Sequence, residues 1–464
     1  MFKQTFLVAV LWTFASSTIV LAQSSDKLGL LIPTLYGPGG LTVDSVKPLP
    51  PNNELHTAHF NGSFQARFTQ FNIALATTLS ALPLPSPASG FTYNYDPASG
   101  GYTLSTQSFG PILAERAETI GRRKFSFGLS YQRFTFDSIE GVDLNNVPAV
   151  YTHDNASPPP SGRADVITTA NNIRAKFDQY TFLYTSGLTD WLDFSLAFPL
   201  VTADLKVVSD ATIQRVGTGN DTGVHFFATG SDLNDPANQG SQKQFVRSRR
   251  RNGIGDVVIR LKGRVHKWER ASLAVGMDLR LPTGDAENLL GTGTAGFKPF
   301  VAYSYRFKRV SPHVNLGYQW NGKSILAGEF ETIPLGEKTI PGVGNQPISE
   351  VRFGSKKGLP DQFLYIAGVD YGLTTRLSLA FDFVGQRVTD SPRLQTTTFT
   401  ALDNVTTFRD IGFKSTSFSQ TNGAAGLKVN PFLNLLINFN LLFKLDDNGL
   451  RDKLTPLVGV TYTF

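Results

Sequence analysis

From Lys124 onward, apolar and polar residues alternate with a period of two along most of the chain, the signature of half-buried strands. "KFSFGLSYQ" sets Phe125, Phe127, Leu129 and Tyr131 on one face and Ser126, Gly128, Ser130 and Gln132 on the other. "DVVIRLKGRV" sets Val257, Ile259, Leu261 and Val265 against Asp256, Arg260, Lys262 and Arg264. "SLAVGMDLRL", "HVNLGYQWN", "LSLAFDF" and "LNLLINFNLLFKL" repeat the pattern. Twelve strands are predicted, at about 122–136, 173–186, 192–203, 253–265, 272–282, 296–306, 312–321, 362–372, 377–388, 415–429, 433–445 and 453–464. All reach at least the roughly 9–11 residues that a tilted strand needs to cross a bilayer, against about 5–6 for an ordinary globular strand.

The connections alternate in length. Tight ones are "GLTDW", "HKWERA", "FKRVS", "LTTR" and "NPF". Long or irregular ones are predicted at 137–172, 204–252, 283–295, 322–361 and 389–414, with a shorter one at 446–452. An even strand number, with short turns at one rim and long loops at the other, is the layout of a bacterial outer-membrane barrel. The fold class expected is therefore all-β, a transmembrane antiparallel up-and-down barrel of about 12 strands (12–14), over residues 122–464. Trp191, Trp268, Tyr303, Tyr305, Trp320, Tyr371 and Tyr462 fall near strand ends, where aromatic rings favour the headgroup level.

Residues 1–22 read as a signal peptide. Lys3 is followed by the apolar "FLVAVLWTFA" from Phe6 to Ala15, and Val20 and Ala22 precede a cleavage site before Gln23. Its removal takes only Lys3, so the formal net charge of +6 becomes +5. The chain has no cysteine, so stability must come from elsewhere than disulfides. Charged residues are 17% of the sequence, below the usual fraction of about 25%. Beyond the signal no run of 18 or more apolar residues occurs, which excludes a helical membrane span.

Residues 23–121 break the alternation. "SFQARFTQFNIALATTLSAL" spaces Phe64, Phe68, Phe71, Leu75 and Leu79 as an amphipathic helix does. "FTYNYDPASGGYTLS" predicts a hairpin turning at Asp96–Gly101, and "FGPILAERAETIGRRK" carries Glu115, Arg116 and Glu118 into the first strand. Such a segment can plug the lumen, form a small periplasmic cap, or add two strands to make fourteen.

Several motifs carry no chemistry here. "GYQWNGKS", Gly317 to Ser324, has the spacing of a phosphate-binding loop but lies in an alternating strand, without the helix that such a loop must enter. "GTGTAG", Gly291 to Gly296, also leads into a strand. The six His show no metal-ligand spacing, no G-x-S-x-G or H-E-x-x-H is present, and neither an enzyme nor a cofactor is expected. A barrel hydrolase could still gather its groups from separate strands, but His313 falls on the periplasmic side. The basic run "VRSRRRNG", with Arg247, Arg249, Arg250 and Arg251, reads as a solvated loop or as a rim contact for lipopolysaccharide. Nucleic acid is not an expected partner of an exported chain.

Parity assigns Asp256, Arg260, Lys262, Arg264, Asp278, Arg280, Lys298, Arg306, Asp370, Asp382, Asn438, Asn440 and Lys444 to the lumen. A lipid-facing Arg or Lys at the midplane would cost about 2–4 kcal/mol. The ending "LTPLVGVTYTF" puts Leu454, Val458, Val460, Tyr462 and Phe464 on the lipid side.

At "NGIGDVVIRLKGR", "LRLPTGD", "GLTDWLDFSLAFPLV" and "VGVTYTF" the chain resembles bacterial outer-membrane transporters assigned to the meta-pathway of phenol degradation. These are related in role to the fatty-acid and aromatic-hydrocarbon transporter barrels, and the resemblance spans roughly residues 120–464. It implies a location in the outer membrane of a Gram-negative-type bacterium. It also implies that Tyr462 and Phe464 form the terminal signal read by the barrel-assembly machinery. The N-P-A motif of the fatty-acid transporters' hatch does not occur in residues 23–121, so their hatch mechanism is not carried over. The function expected is passive uptake of small, hydrophobic or aromatic solutes. The alternatives are a general diffusion porin for hydrophilic solutes and a barrel with a structural role.

Overall fold

All twelve expected spans are strands in the computed structural model. It describes residues 27–37, 40–49, 54–55, 59–62, 69–80, 93–96, 101–104, 108–153, 156–340, 344–432 and 434–464. The signal segment lies outside these residues, as do Phe64 and Phe68 of the expected helix and the turn of the expected hairpin. The strands are β1 (Phe125–Ile139), β2 (Val166–Gly187), β3 (Leu192–Gln214), β4 in two stretches (Gln242–Ile254 and Val257–Lys267), β5 (Ala271–Leu281) and β6 (Gly296–Tyr305). They continue as β7 (Val310–Asn321), β8 (Gln362–Thr374), β9 (Leu377–Thr400), β10 (Thr407–Val429), β11 (Leu435–Lys444) and β12 in two stretches (Leu450–Asp452 and Leu454–Thr463).

Each strand pairs antiparallel with the next, and β12 returns to β1 with Leu457 opposite Gln132 and Thr463 opposite Ser126. The sheet is therefore closed and leaves no edge, which satisfies the backbone polar groups that hydrocarbon cannot. The terminal Phe464 continues the seam: its N–H donates to the Phe125 carbonyl at 2.7 Å and its ring packs against Phe127 and Tyr462. The barrel has twelve strands and not fourteen, because Tyr93–Asp96 and Gly101–Leu104 pair with each other, Asp96 opposite Gly101, as a separate two-stranded sheet.

The outward face of the strands is apolar and exposed at Phe127, Leu129, Tyr180, Phe182, Val275, Met277, Phe381, Phe383, Phe439 and Leu441. The opposite parity buries Ser126, Ser130, Gln179, Thr181, Asp193, Arg260, Lys262 and Asp278. Trp191, Trp268, Phe307, Phe432 and Phe464 stand exposed at the rim of short turns, and Trp320 and Phe363 on the opposite side. An apolar belt edged by aromatic rings around a polar-lined interior is how an outer-membrane barrel is built.

Four of the expected long loops are mostly strand, which corrects the reading of 137–172, 204–252, 322–361 and 389–414. In 322–361 the strands Phe330–Ile340 and Gly344–Phe353 pair only with each other, while the other three are extensions of the barrel. β2 and β3 run for 22 and 23 residues, and β9 and β10 for 24 and 23, leaving connections at 140–165, 215–241 and 401–406. The reason is a change of phase with no change of period. In β3 the outward row passes from Phe194, Leu196, Phe198 and Leu200 to Thr202, Asp204 and Lys206, while the inward row passes from Asp193 and Ser195 to Val201, Ala203, Leu205 and Val207. β1 makes the same switch between Gln132 and Phe134 on its inward side. Beyond the belt the outer face leaves the hydrocarbon and the inner face meets protein, so the polarity inverts. The basic run belongs to such an extension: Arg247, Arg249, Arg250 and Arg251 lie in β4, paired with Val207, Leu205, Asp204 and Ala203, and not in a loop.

What the inverted face encloses is the start of the chain. Leu28, Leu31, Ile32 and Leu35 are buried in one cluster with Leu205, Val207, Leu289, Leu326 and Ile411. A short strand Val147–His153 pairs with β2, and His59–Gly62 adds to it with Phe60 opposite His153. Below this outer mouth lies the helix α1, Thr69–Ser80, which buries Phe71, Leu75 and Ala76.

Candidate functional site: the lumen and the chain that crosses it

Between the outer mouth and the rim of short turns, the lumen holds two pieces of the N-terminal segment. The upper one is α1. Its Asn72 side chain donates to the Gly29 carbonyl at 2.9 Å. Its last carbonyls accept from the barrel wall, Thr77 from Gln362 at 3.0 Å and Ser80 from Arg280 Nη1 at 2.9 Å. These are groups that a helix C-terminus leaves without an internal partner, and a cation there also suits the helix dipole.

The lower piece is the stretch 108–121, which crosses the interior and then enters β1. Asp382 of β9 accepts three consecutive backbone N–H groups on its Oδ2, from Ile112 at 3.0 Å, Leu113 at 2.8 Å and Ala114 at 3.3 Å. Its Oδ1 lies 2.8 Å from His313 Nε2, and His313 Nδ1 lies 3.4 Å from Asp370. Asp370 also meets the Arg116 guanidinium at 3.2 Å. Lys428 donates to the Phe109 and Pro111 carbonyls.

On the other wall, Glu115 bridges Arg260 at 2.6 Å and Lys262 at 2.8 Å, while Arg260 is held by both oxygens of Asp278, at 2.6 and 2.8 Å. Lys298 adds a contact of 2.8 Å to Asp278. Lys262 also donates to the Arg116 and Glu118 carbonyls, and Asn315 exchanges two hydrogen bonds with the Glu115 backbone. The Ala117 N–H donates to Ser304, and the Ile120 N–H donates to Asp193.

Two glycines admit this path. Gly110 has φ +85°, and a Cβ there would stand 2.7 Å from the Arg116 guanidinium. A Cβ on Gly187 would stand 1.8 Å from the Gly121 carbonyl oxygen, so β2 must be bare where the segment passes.

The expected lumen residues separate into groups. Arg260, Lys262, Asp278, Lys298, Asp370 and Asp382 converge on 108–121 or on its immediate partners. Arg280 and Asp256, 3.7 Å apart, sit higher, beside α1 and the 283–295 loop, whose Gly284 and Thr292 N–H groups donate to Asp256. Arg264 bonds the Asp190 carbonyl at the short-turn rim, and Arg306 approaches Glu118 at 4.0 Å. Asn440 donates to Asn438. Lys444 is at the outer rim with Asp447 at 2.8 Å and Asp137 at 3.7 Å.

Parity alone could have added Asp193 and Lys428, both inward in their strands. The charge balance held a further signal. The inward list has seven cations, Arg260, Lys262, Arg264, Arg280, Lys298, Arg306 and Lys444, against four Asp, so acids had to arrive from elsewhere. Glu115 and Glu118 are those acids.

Among the described residues, spaces of about 60–70 Å³ each adjoin α1 at Thr78 and at Leu79 and Ser80, and adjoin 108–121 at Leu113 and Glu115. One is lined by Phe134, Phe136, Leu364, Val384 and Leu442 with Gln420 and Asn422. A second is lined by Leu113, Phe300, Leu364, Ile366 and Val384 with Arg260 and Asn315. Leu364 and Val384 border both. A dry cavity of about 150 Å³ takes one benzene, so each space holds about half of an aromatic ring.

At the outer mouth the side chains are buried. The Tyr36 hydroxyl lies 2.9 Å from Ser209 and 3.2 Å from Tyr151, and burial pushes both phenols above their ordinary pKa. His225 and Asp165 form a fully buried pair at 2.8 Å, with the His225 ring against Phe60.

Residues 158–328 match the family model described as "Putative MetA-pathway of phenol degradation". This is the family that the sequence resembles. The match runs from just before β2 to the loop after β7 and so includes Arg260, Lys262, Asp278 and Lys298. None of the curated proteins matches. Among solved structures, an outer-membrane channel from Pseudomonas putida F1 is 12% identical, with 75% of this chain and 98% of that chain covered and a TM-score of 0.41. The toluene transporter TbuX of Ralstonia pickettii is 11% identical, with 83% and 99% covered and a TM-score of 0.35. A FadL homologue from Pseudomonas aeruginosa is 8% identical, with 82% and 94% covered and a TM-score of 0.30.

Proposed function

We propose that this chain is an outer-membrane channel for passive uptake of small hydrophobic or aromatic compounds, with residues 23–121 as its plug. The observation that carries the reading is the pair of N-terminal pieces inside a closed barrel, with small spaces beside them, two of which are partly lined by Phe, Leu, Ile and Val. Among the described residues each of these spaces is smaller than an aromatic ring, so a ring that passes through them needs α1 or 108–121 to shift. The aromatic class draws its support from the phenol-degradation family matched at 158–328. The apolar part of one such lining, Phe134, Phe136, Leu364, Val384 and Leu442, fits that class, and Gln420, Asn422 and Arg451 beside it can meet a hydroxyl. Uptake then needs no covalent step: the solute partitions, the segment yields, and the inward charges re-pair behind it.

Uptake by liposomes containing the full chain tests this. Phenol and toluene should enter well ahead of sugars, and ions should cross slowly. Equal fluxes of phenol and sucrose, with an open ion conductance, would identify a general diffusion porin instead. In this reading Tyr462 and Phe464 are the terminal strand signal for the barrel-assembly machinery. Deletion of Phe464 should lower the amount of assembled barrel several-fold and leave transport per assembled molecule unchanged. Normal membrane levels of the deleted chain would count against it.

A further inference from the structure

The outward face of β1–β4 changes character abruptly where it leaves the belt. Tyr131, Tyr180, Leu200 and Ile254 form one row across the four strands, each opposite the next in register. The following rows hold Arg133, Asp178, Thr202 and Asn252, then Thr135, Lys176, Asp204 and Arg250, then Arg174, Lys206 and Ser248. Five cations and two carboxylates thus stand within three rows, directly above the aromatic and aliphatic edge. Rows of one face lie about 6.8 Å apart and strands about 4.8 Å apart, so the patch is roughly 15 Å in each direction.

The patch is not neutralised from within. Arg133 pairs with Asp178 at 2.6 Å while its side chain remains half exposed. Arg174, Lys176 and Lys206 make no ion pair and no side-chain hydrogen bond among the described residues. These strands run on away from the short turns and from Phe464, which places the patch at the outer leaflet. A group docking here must carry several negative charges at the height of the headgroups, and must have an apolar part that lies along Tyr180, Phe182 and Leu200.

We infer that this face binds the phosphorylated sugar headgroup of lipopolysaccharide, with Arg174, Lys206 and Arg250 as principal contacts and the acyl chains on the belt below. The inference rests on the reading of the barrel as an outer-membrane protein. Arg247, Arg249 and Arg251 alternate to the other face of the same strand and are not part of the site.

Titration of purified lipid A into the full chain in neutral detergent, read by native mass spectrometry, tests the site. A variant with Arg174→Ala, Lys206→Ala and Arg250→Ala should bind on the order of a hundredfold more weakly, since each cation near an anionic lipid surface contributes several-fold. A control with Lys308→Ala, Arg309→Ala and Arg376→Ala removes the same charge from the opposite rim and should bind as the wild type does. Undiminished binding by the first variant would overturn the site. An equal loss in both variants would reduce it to overall charge and overturn it as well. Recovery of the wild-type chain outside the outer-membrane fraction would instead sink the embedding on which both proposals stand. Phenol uptake that persists after lipid A affinity is lost separates this site from the channel.

Discussion

The outer mouth and the lower lumen enclose the same N-terminal segment by opposite means. At the mouth, residues 27–37, 41–43 and 59–62 are held by apolar burial, with Leu28, Leu31, Phe60 and Tyr151 in one cluster with the inverted faces of β2 and β3. In the lower lumen, 108–121 is held by carboxylates, guanidinium groups and backbone N–H donors, with small apolar contacts such as Ile112 and Leu113 beside Ala380, Ala424 and Leu457. Apolar burial is non-directional, and its loss leaves a cavity. A polar crossing is different, because its bonds can be exchanged for bonds to water at small net cost once the site is wet. The mouth is therefore suited to permanence and the crossing to release.

The largest expected effect comes from Asp382→Ala. It strips three backbone N–H groups and His313 of their acceptor, a loss of roughly 3–5 kcal/mol for a buried charge with several hydrogen bonds. The segment should leave its seat, and single-channel recordings should show a large rise in ion conductance. Conductance as low as in the wild type would break the comparison.

Phe60→Ala tests the other region. Truncation of a buried Phe costs about 3–5 kcal/mol, so thermal unfolding of the barrel should shift down while conductance stays low. An open channel in this variant would mean that the mouth is also part of the gate.

Glu115→Gln is milder, because an amide oxygen still accepts from Arg260 or Lys262 and Asp278 still holds Arg260. A loss of about 2 kcal/mol is expected, seen as brief openings and not as a steady current. The smallest effect is that of salt. Buried pairs are screened far less than exposed ones, so raising ionic strength from about 0.1 to about 1 M should leave the wild-type opening frequency nearly unchanged. Frequent opening in high salt would show that the network is already wet.

The twelve strands were legible because lipid imposes one rule on every spanning segment, apolar outward and polar inward. Where that rule reverses, legibility failed. Val201, Ala203, Leu205 and Val207 kept the period of two, but their outward neighbours Thr202, Asp204 and Lys206 look like loop residues to a reader who keeps the membrane phase. The basic run at Arg247–Arg251 was mistaken for a loop for the same reason. Parity put Arg260, Lys262, Asp278, Asp370 and Asp382 on the inward side of their strands, where they are buried. It could not reveal their partners, since Glu115 and Arg116 lie in a stretch without period, and the three N–H groups on Asp382 belong to backbone that has no sequence signature.

The short crossing has a consequence for how the barrel forms. Within fourteen residues it touches β3 at Asp193, β4 at Lys262, β6 at Ser304, β7 at Asn315, β8 at Asp370, β9 at Asp382 and β10 at Lys428. A seam between β1 and β12 must join parts of the chain separated by more than three hundred residues, and the entropy of closing a loop grows with its length. Spokes from one hub to seven staves tie those staves to one another independently of the seam. Such a hub would let the cylinder be drawn together from its axis, with the seam as the final stitch.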